Sequence, residues 1–178
     1  MLFSLPISFF YAQVETNFPL HLKSSFSDYL SIVASMTSVK AVLAICLQFW
    51  LVKITERLPT HHTILLSYAC FVVTGLIYGL SHLFWFLLVA QLFLVVGESV
   101  GLTRLLQLVS TIAPPDKRGL YFSLYGIHWD ISRTVGPVLG SFILMQHGGM
   151  SLFILASVLL LTGCLAQFIW IKRMVPLQ

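Results

Sequence analysis

The chain has 178 residues, of which 58% are hydrophobic and only 9% charged, with a mean hydropathy of +0.93. A water-soluble domain carries about a quarter charged residues, so the composition excludes that class and points to lipid as the solvent. The formal net charge of +4 comes from Lys and Arg spread in pairs between apolar runs, not from a basic patch, and no nucleic-acid partner is expected.

Six apolar runs of about the 20 residues needed to cross a bilayer predict an all-α membrane protein, a single bundle over 1–178. The spans fall near 3–22, 31–53, 63–80, 83–112, 120–146 and 150–171. The first begins without the basic n-region or the A-x-A-like site of a secretory signal, and reads as a mature membrane helix. It carries Tyr11, Gln13, Glu15, Thr16 and Asn17, with Pro19 freeing a backbone carbonyl. Polar, kinked helices of this kind line binding sites in transporters, although the same groups can simply satisfy one another.

The second run holds Lys40 near its middle, with Gln48 and Trp50 towards its end. Glu15 and Lys40 lie centrally in consecutive helices, so an interhelical pair between them is possible. The loop that follows contains Lys53 and Arg57 and the dyad His61–His62, too short for a metal site. The fourth run is long enough to tilt or bend. On it Glu98 and Arg104 stand six apart and need partners elsewhere, while Gly97 and Gly101 form a small-residue seam on Arg104's face.

The turn at 113–119 contributes Asp116, Lys117, Arg118 and Gly119, and the fifth run then carries Asp130 and Arg133. Those two can pair along one helix at i,i+3. Either the pair fixes helix register or it takes part in transport, because ionisable groups at bilayer depth are costly and normally face a bundle interior or an aqueous cavity. His128 reads as a hydrogen-bonded helix histidine or, since imidazole titrates near neutrality, as a titrating switch, with Trp129 beside it on a cavity wall. Gly136, Pro137 and Gly140 give a second small-residue face, suited to close helix packing.

Lys53, Arg57, Lys117, Arg118, Lys172 and Arg173 all fall in alternate connections or at the C-terminus. The positive-inside rule makes those segments cytoplasmic, and an even number of spans puts both termini there. Tyr29, Trp50, Trp85, Tyr121 and Trp170 are interfacial anchors by position. Cys46, Cys70 and Cys164 each stand alone in an apolar run, so neither a disulfide nor a metal site is expected, and they read as buried small hydrophobes. No Walker, GxGxxG, GxSxG or HExxH motif occurs, so no enzyme activity and no cofactor are expected.

Four stretches resemble the C-terminal six-helix half of a major facilitator superfamily transporter, of the bacterial multidrug/proton antiporter branch. They are YAQVETNFPLHL at 11–22, KITERLP at 53–59, VVGESVGLTRLLQLVSTIAPPDKRGLYFS at 95–123 and GPVLGS at 136–141. KITERLP is a degenerate form of that family's cytoplasmic motif, and Arg104 stands near where relatives often carry Pro.

The resemblance implies a secondary transporter in a bacterial inner membrane, exporting hydrophobic or cationic small molecules in exchange for protons. Glu15, Gln13, Glu98 and Asp130 are then the coupling or substrate candidates, with Lys40, Arg104 and Arg133 as charge partners. The Asp116–Gly119 turn would be a hinge or latch, and the Gly136–Gly140 face a gliding surface. Complete members have two halves with substrate held between them, so the expected partners are lipid, substrate, protons and a second six-helix half. The chain reads as a truncated product, a split-gene half or a fragment. Alternatives are a vestigial membrane protein without transport of its own, or a homodimerising half-transporter.

Overall fold

The computed structural model describes residues 4–55, 58–81 and 83–174, with side chains described as far as residue 169. Among these residues every regular element is helical. α1 (Leu5–Ser25) starts with a proline in its first turn, where the missing N–H costs nothing. It runs on through Pro19 and stops at extended Phe26. α2 (Tyr29–Thr55) and α3 (Thr60–Leu80) follow, the latter entered through Pro59. The His61–His62 dyad therefore lies in the first turn of α3 and not in a loop, since the helix begins directly after Pro59, three residues earlier than expected.

The fourth apolar run is not one regular helix. α4 (Phe84–Gly97) passes into a π-helical turn (Glu98–Leu102) and continues as α5 (Thr103–Ile112). Ala113 then turns extended, the conformation favoured before a proline. After a short 3₁₀ turn (Pro115–Lys117) comes α6 (Arg118–Met174). A straight helix of its 57 residues would be roughly 85 Å long, nearly three times a hydrocarbon core. Gly148 breaks it, at φ 79° and ψ 168°, a conformation open only to glycine.

Cross-helix contacts give the directions. Ser8, Gln13 and Asn17 of α1 meet Ser132, Gly136 and Ser141 in ascending order, so α1 runs parallel to residues 118–147. A Cβ at Gly149 would meet His21 and one at Gly163 would meet Pro6, so α1 is antiparallel to residues 149–174. The two parts of α6 thus fold back on each other at Gly148. By the same reasoning α3 is antiparallel to residues 149–174 through Tyr68–Gln167 and the approach of Gly79 to Met150. It is antiparallel to α4 through Ser67–Gly97 and Thr74–Ala90.

The core is aromatic. Phe18 stacks on Tyr78 at 4.0 Å, and Phe153 closes edge-on against both. Polar tips inside it are satisfied: Gln91 donates to the Tyr78 hydroxyl at 2.6 Å, and Tyr68 donates to Gln167 at 2.7 Å. The exterior is the reverse of a soluble protein's, with Ile45 82% and Met145 86% exposed. Four stretches, Tyr29–Thr55, Thr60–Leu80, Phe84–Ile112 and Pro115–Ile169, are long and apolar enough to cross a membrane. α1 is not among them, because its polar residues lower its hydropathy. Trp50 and Trp85 are exposed, while Tyr29 and Tyr121 are partly covered. Cys70 and Cys164 are buried as expected, but Cys46 is exposed on the apolar outer surface of α2. Glu56, Arg57, His82 and the side chains of Trp170, Lys172 and Arg173 lie outside the described residues.

Candidate functional site

Among the described residues there are two ion pairs, and neither joins the residues that sequence spacing joins. Lys40 of α2 reaches Glu98 of the π turn at 3.2 Å. Arg133 of α6 reaches Glu15 of α1 at 3.4 Å. Glu15 and Lys40, expected as a possible pair, have different partners because α1 presents Glu15 to α6 and α2 presents Lys40 to the π turn. Asp130 and Arg133 do not form the expected i,i+3 pair either. The Arg133 guanidinium instead lies over the Trp129 ring, at 5.8 Å, and extends to Glu15. Asp130 is exposed and has no ion-pair partner among the described residues.

Two aromatic rings bridge the pairs. The Lys40 ammonium sits 5.6 Å from the Tyr11 ring centroid. The Tyr11 ring meets Trp129 edge-on at 5.4 Å. A continuous line of charge and π-faces therefore runs Glu98, Lys40, Tyr11, Trp129, Arg133, Glu15, across four helical segments. A cation over an aromatic face is attracted by the ring quadrupole, so each cation is held by both a carboxylate and a ring. The line carries two positive and two negative charges and opens outward from one end to the other: Lys40 and Glu98 are 33% and 30% exposed, Arg133 and Glu15 61% and 49%.

Gln13 is not on this line. Its carboxamide is fully buried in the α1–α6 contact, where it donates to the Gly136 carbonyl at 2.9 Å and accepts from Asn17 at 2.7 Å. Asn17 also donates to the Pro137 carbonyl, and Ser141 donates to Asn17 at 2.7 Å. Gly140 makes room for this ladder, because a Cβ there would overlap the Gln13 amide. The Gly136–Pro137–Gly140 face is thus a hydrogen-bonded join to α1. Thr16 turns outward and bonds back to the Ala12 carbonyl.

Gly97 and Gly101 pack against Phe71 and Ser67 of α3. Arg104 reaches across to α2, donating to the Thr55 carbonyl at that helix's C-terminal end and to Gln107. A cation at a helix C-terminus complements the dipole there. Asp116, Lys117, Arg118 and Gly119 form an exposed turn remote from both pairs. Gln48 is exposed.

His128 departs from the expectation of a hydrogen-bonded helix histidine. Its ring is buried against Tyr125 at 4.7 Å, and neither ring nitrogen has a hydrogen-bond partner among the described residues. Only its backbone carbonyl is engaged, by Ser8, which also bonds Ser132 at 2.8 Å. The buried Tyr11 hydroxyl makes no hydrogen bond of ordinary geometry among the described residues, although it lies near the Glu98 carboxylate. Ser8, Ser67, Ser132 and Ser141 escape sequence reading, since a serine in an apolar run gives no sign of the helix it faces. Among the described residues no cluster of His, Cys, Asp or Glu is arranged to hold a metal.

The family profile of the Major Facilitator Superfamily matches residues 2–178. The chain is 40% identical over 174 residues to the uncharacterized MFS-type transporter YhjO of Bacillus subtilis, covering 98% of this chain and 43% of that protein. It is 26% identical over 120 residues to the riboflavin transporter RibZ of Clostridioides difficile, covering 67% of this chain and 26% of that protein. The chain spans less than half the length of these curated relatives.

Proposed function

Because the chain belongs to the Major Facilitator Superfamily, we propose that it is the C-terminal, six-crossing half of a proton-coupled secondary transporter. The observation that carries this reading is the line from Glu98 to Glu15, two ion pairs linked through aromatic rings across a bundle whose exterior is largely apolar. Charges at membrane depth face a cavity or a protein neighbour, not lipid. In this reading a second six-helix unit lies opposite that face, and substrate binds between the two. The line carries equal numbers of cations and carboxylates. A substrate or proton that takes one partner of a pair releases the other, which is the exchange alternating access needs.

Alternating helix directions support six crossings: α1, α2, α3, the α4–α5 unit and the two parts of α6. They gather Lys53, Lys117, Arg118 and the end of α6 at one side, which the positive-inside rule makes cytoplasmic, with both termini. The membrane is then a bacterial inner membrane. Efflux of small hydrophobic or cationic molecules is the activity by resemblance, and riboflavin is a second probe because of the distant relative's name.

The test is proton movement in vesicles containing the assembled transporter, elicited by ethidium or by riboflavin. Glu15→Gln is expected to reduce the substrate-elicited proton signal to background while leaving protein abundance unchanged. Proton-coupled transport at the wild-type rate in that variant would refute the coupling role.

A further inference from the structure

The π turn at Glu98–Leu102 interrupts the helix where its one carboxylate meets α2. π turns insert a residue into an α-helix and are held only where the surroundings enforce them. Two contacts of one α3 side chain, Ser67, do so here. The buried Ser67 hydroxyl donates to the Gly97 carbonyl at 2.7 Å, at the junction of α4 and the π turn. One turn further on Gly101 lies directly against that serine, so that a Cβ there would overlap the Ser67 oxygen. Ser67 is therefore wedged into the widened turn, bonded on one side and shape-matched on the other.

The consequence reaches α2. Glu98 meets Lys40, and Arg104, beyond the π turn, meets the Thr55 carbonyl of the same helix. Removing the inserted residue would rotate everything beyond the turn by about 100° relative to Glu98. The two contacts with α2 could not then both be kept. We infer that Ser67 and Gly101 are positioning residues, holding the π turn so that the Glu98 carboxylate is presented to Lys40 and the Tyr11–Trp129 line. Their functional meaning rests on the transporter reading above, but their geometry does not.

The experiment needs neither substrate nor transport. In a background with Cys46, Cys70 and Cys164 replaced by serine, cysteine pairs are placed at Lys40 with Glu98 and, separately, at Glu15 with Arg133. Each is treated in membranes with a short bifunctional thiol cross-linker. Both pairs are expected to cross-link. Adding Ser67→Ala, or separately Gly101→Ala, is expected to slow the 40–98 reaction about tenfold, since such rates follow proximity and orientation, and to leave the 15–133 reaction unchanged. An unchanged 40–98 rate in both variants would overturn the proposal. So would an equal fall in both pairs, which would mean general loss of packing, or no 40–98 cross-link in the parent.

Discussion

Gly140→Ala is expected to lower the unfolding free energy of the detergent-solubilised protein by roughly 2–4 kcal/mol, the cost of overpacking plus lost interhelical hydrogen bonds. The added methyl occupies the site of the Gln13 amide oxygen. Gln13 is fully buried and cannot swing into open space, so it must give up the Gly136 carbonyl or its bond from Asn17. Asn17 in turn links to Pro137 and Ser141, so the disturbance spreads along the whole α1–α6 join. Two comparisons fix the cause. Gly126→Ala on the same helix, with nothing within 4 Å of its added carbon, is expected to change stability little. Gln13→Ala combined with Gly140→Ala should be clearly less damaging than the two single effects added, because the first change removes what the second collides with. Unfolding titrations in mixed micelles measure the parent, the three single variants and the double variant. Full additivity would show that the overlap is relieved elsewhere.

Lys40→Glu is expected to cost about 2–3 kcal/mol, the scale on which a charged group without a counter-charge is disfavoured at mid-membrane. The substitution sets two carboxylates side by side where an ammonium and a carboxylate stand 3.2 Å apart, and it removes the cation from the Tyr11 ring. The reversed pair, Lys40→Glu with Glu98→Lys, restores opposite charges and should recover most of the lost abundance and stability. It should not recover transport, because the cation then lies on the π turn and no longer over Tyr11. Recovery of both would mean that the pair only holds helices together.

Much of the scaffold is legible in the sequence for plain reasons. Long apolar runs state the helical class, Pro59 and Pro114 mark where helices start and stop, and a glycine pair at 148–149 marks the reversal within α6. The short list of charges in the runs is legible too, because so few occur. Their partners are not. Glu15 lies ten residues before the end of α1 and Lys40 eleven residues after the start of α2, so a rise of about 1.5 Å per residue sets them at matching depth. Depth is a property of one helix, but pairing depends on how both are rotated, and rotation is settled by packing. Lys40 turns to the π turn and Glu15 to α6. The π turn itself leaves no mark in the letters, since Gly97 and Gly101 read equally well as a straight seam. Gln13 illustrates the opposite error: a polar residue beside Glu15 looks like part of a cavity, yet its amide is consumed by the backbone of α6.

The central claim is that the line from Glu98 to Glu15 faces an aqueous cavity within a membrane-embedded bundle. The direct measurement uses single cysteines at Glu15, Glu98, Arg133, Ile45 and Val138 in the assembled transporter, with the native cysteines replaced by serine. Each is exposed in membranes to a water-soluble, membrane-impermeant thiol reagent applied to either side. The expected result is labelling at 15, 98 and 133 and protection at 45 and 138, apolar positions exposed on the outer surface of the bundle. Rapid labelling at 45 and 138 with protection at the three charged positions would contradict the account.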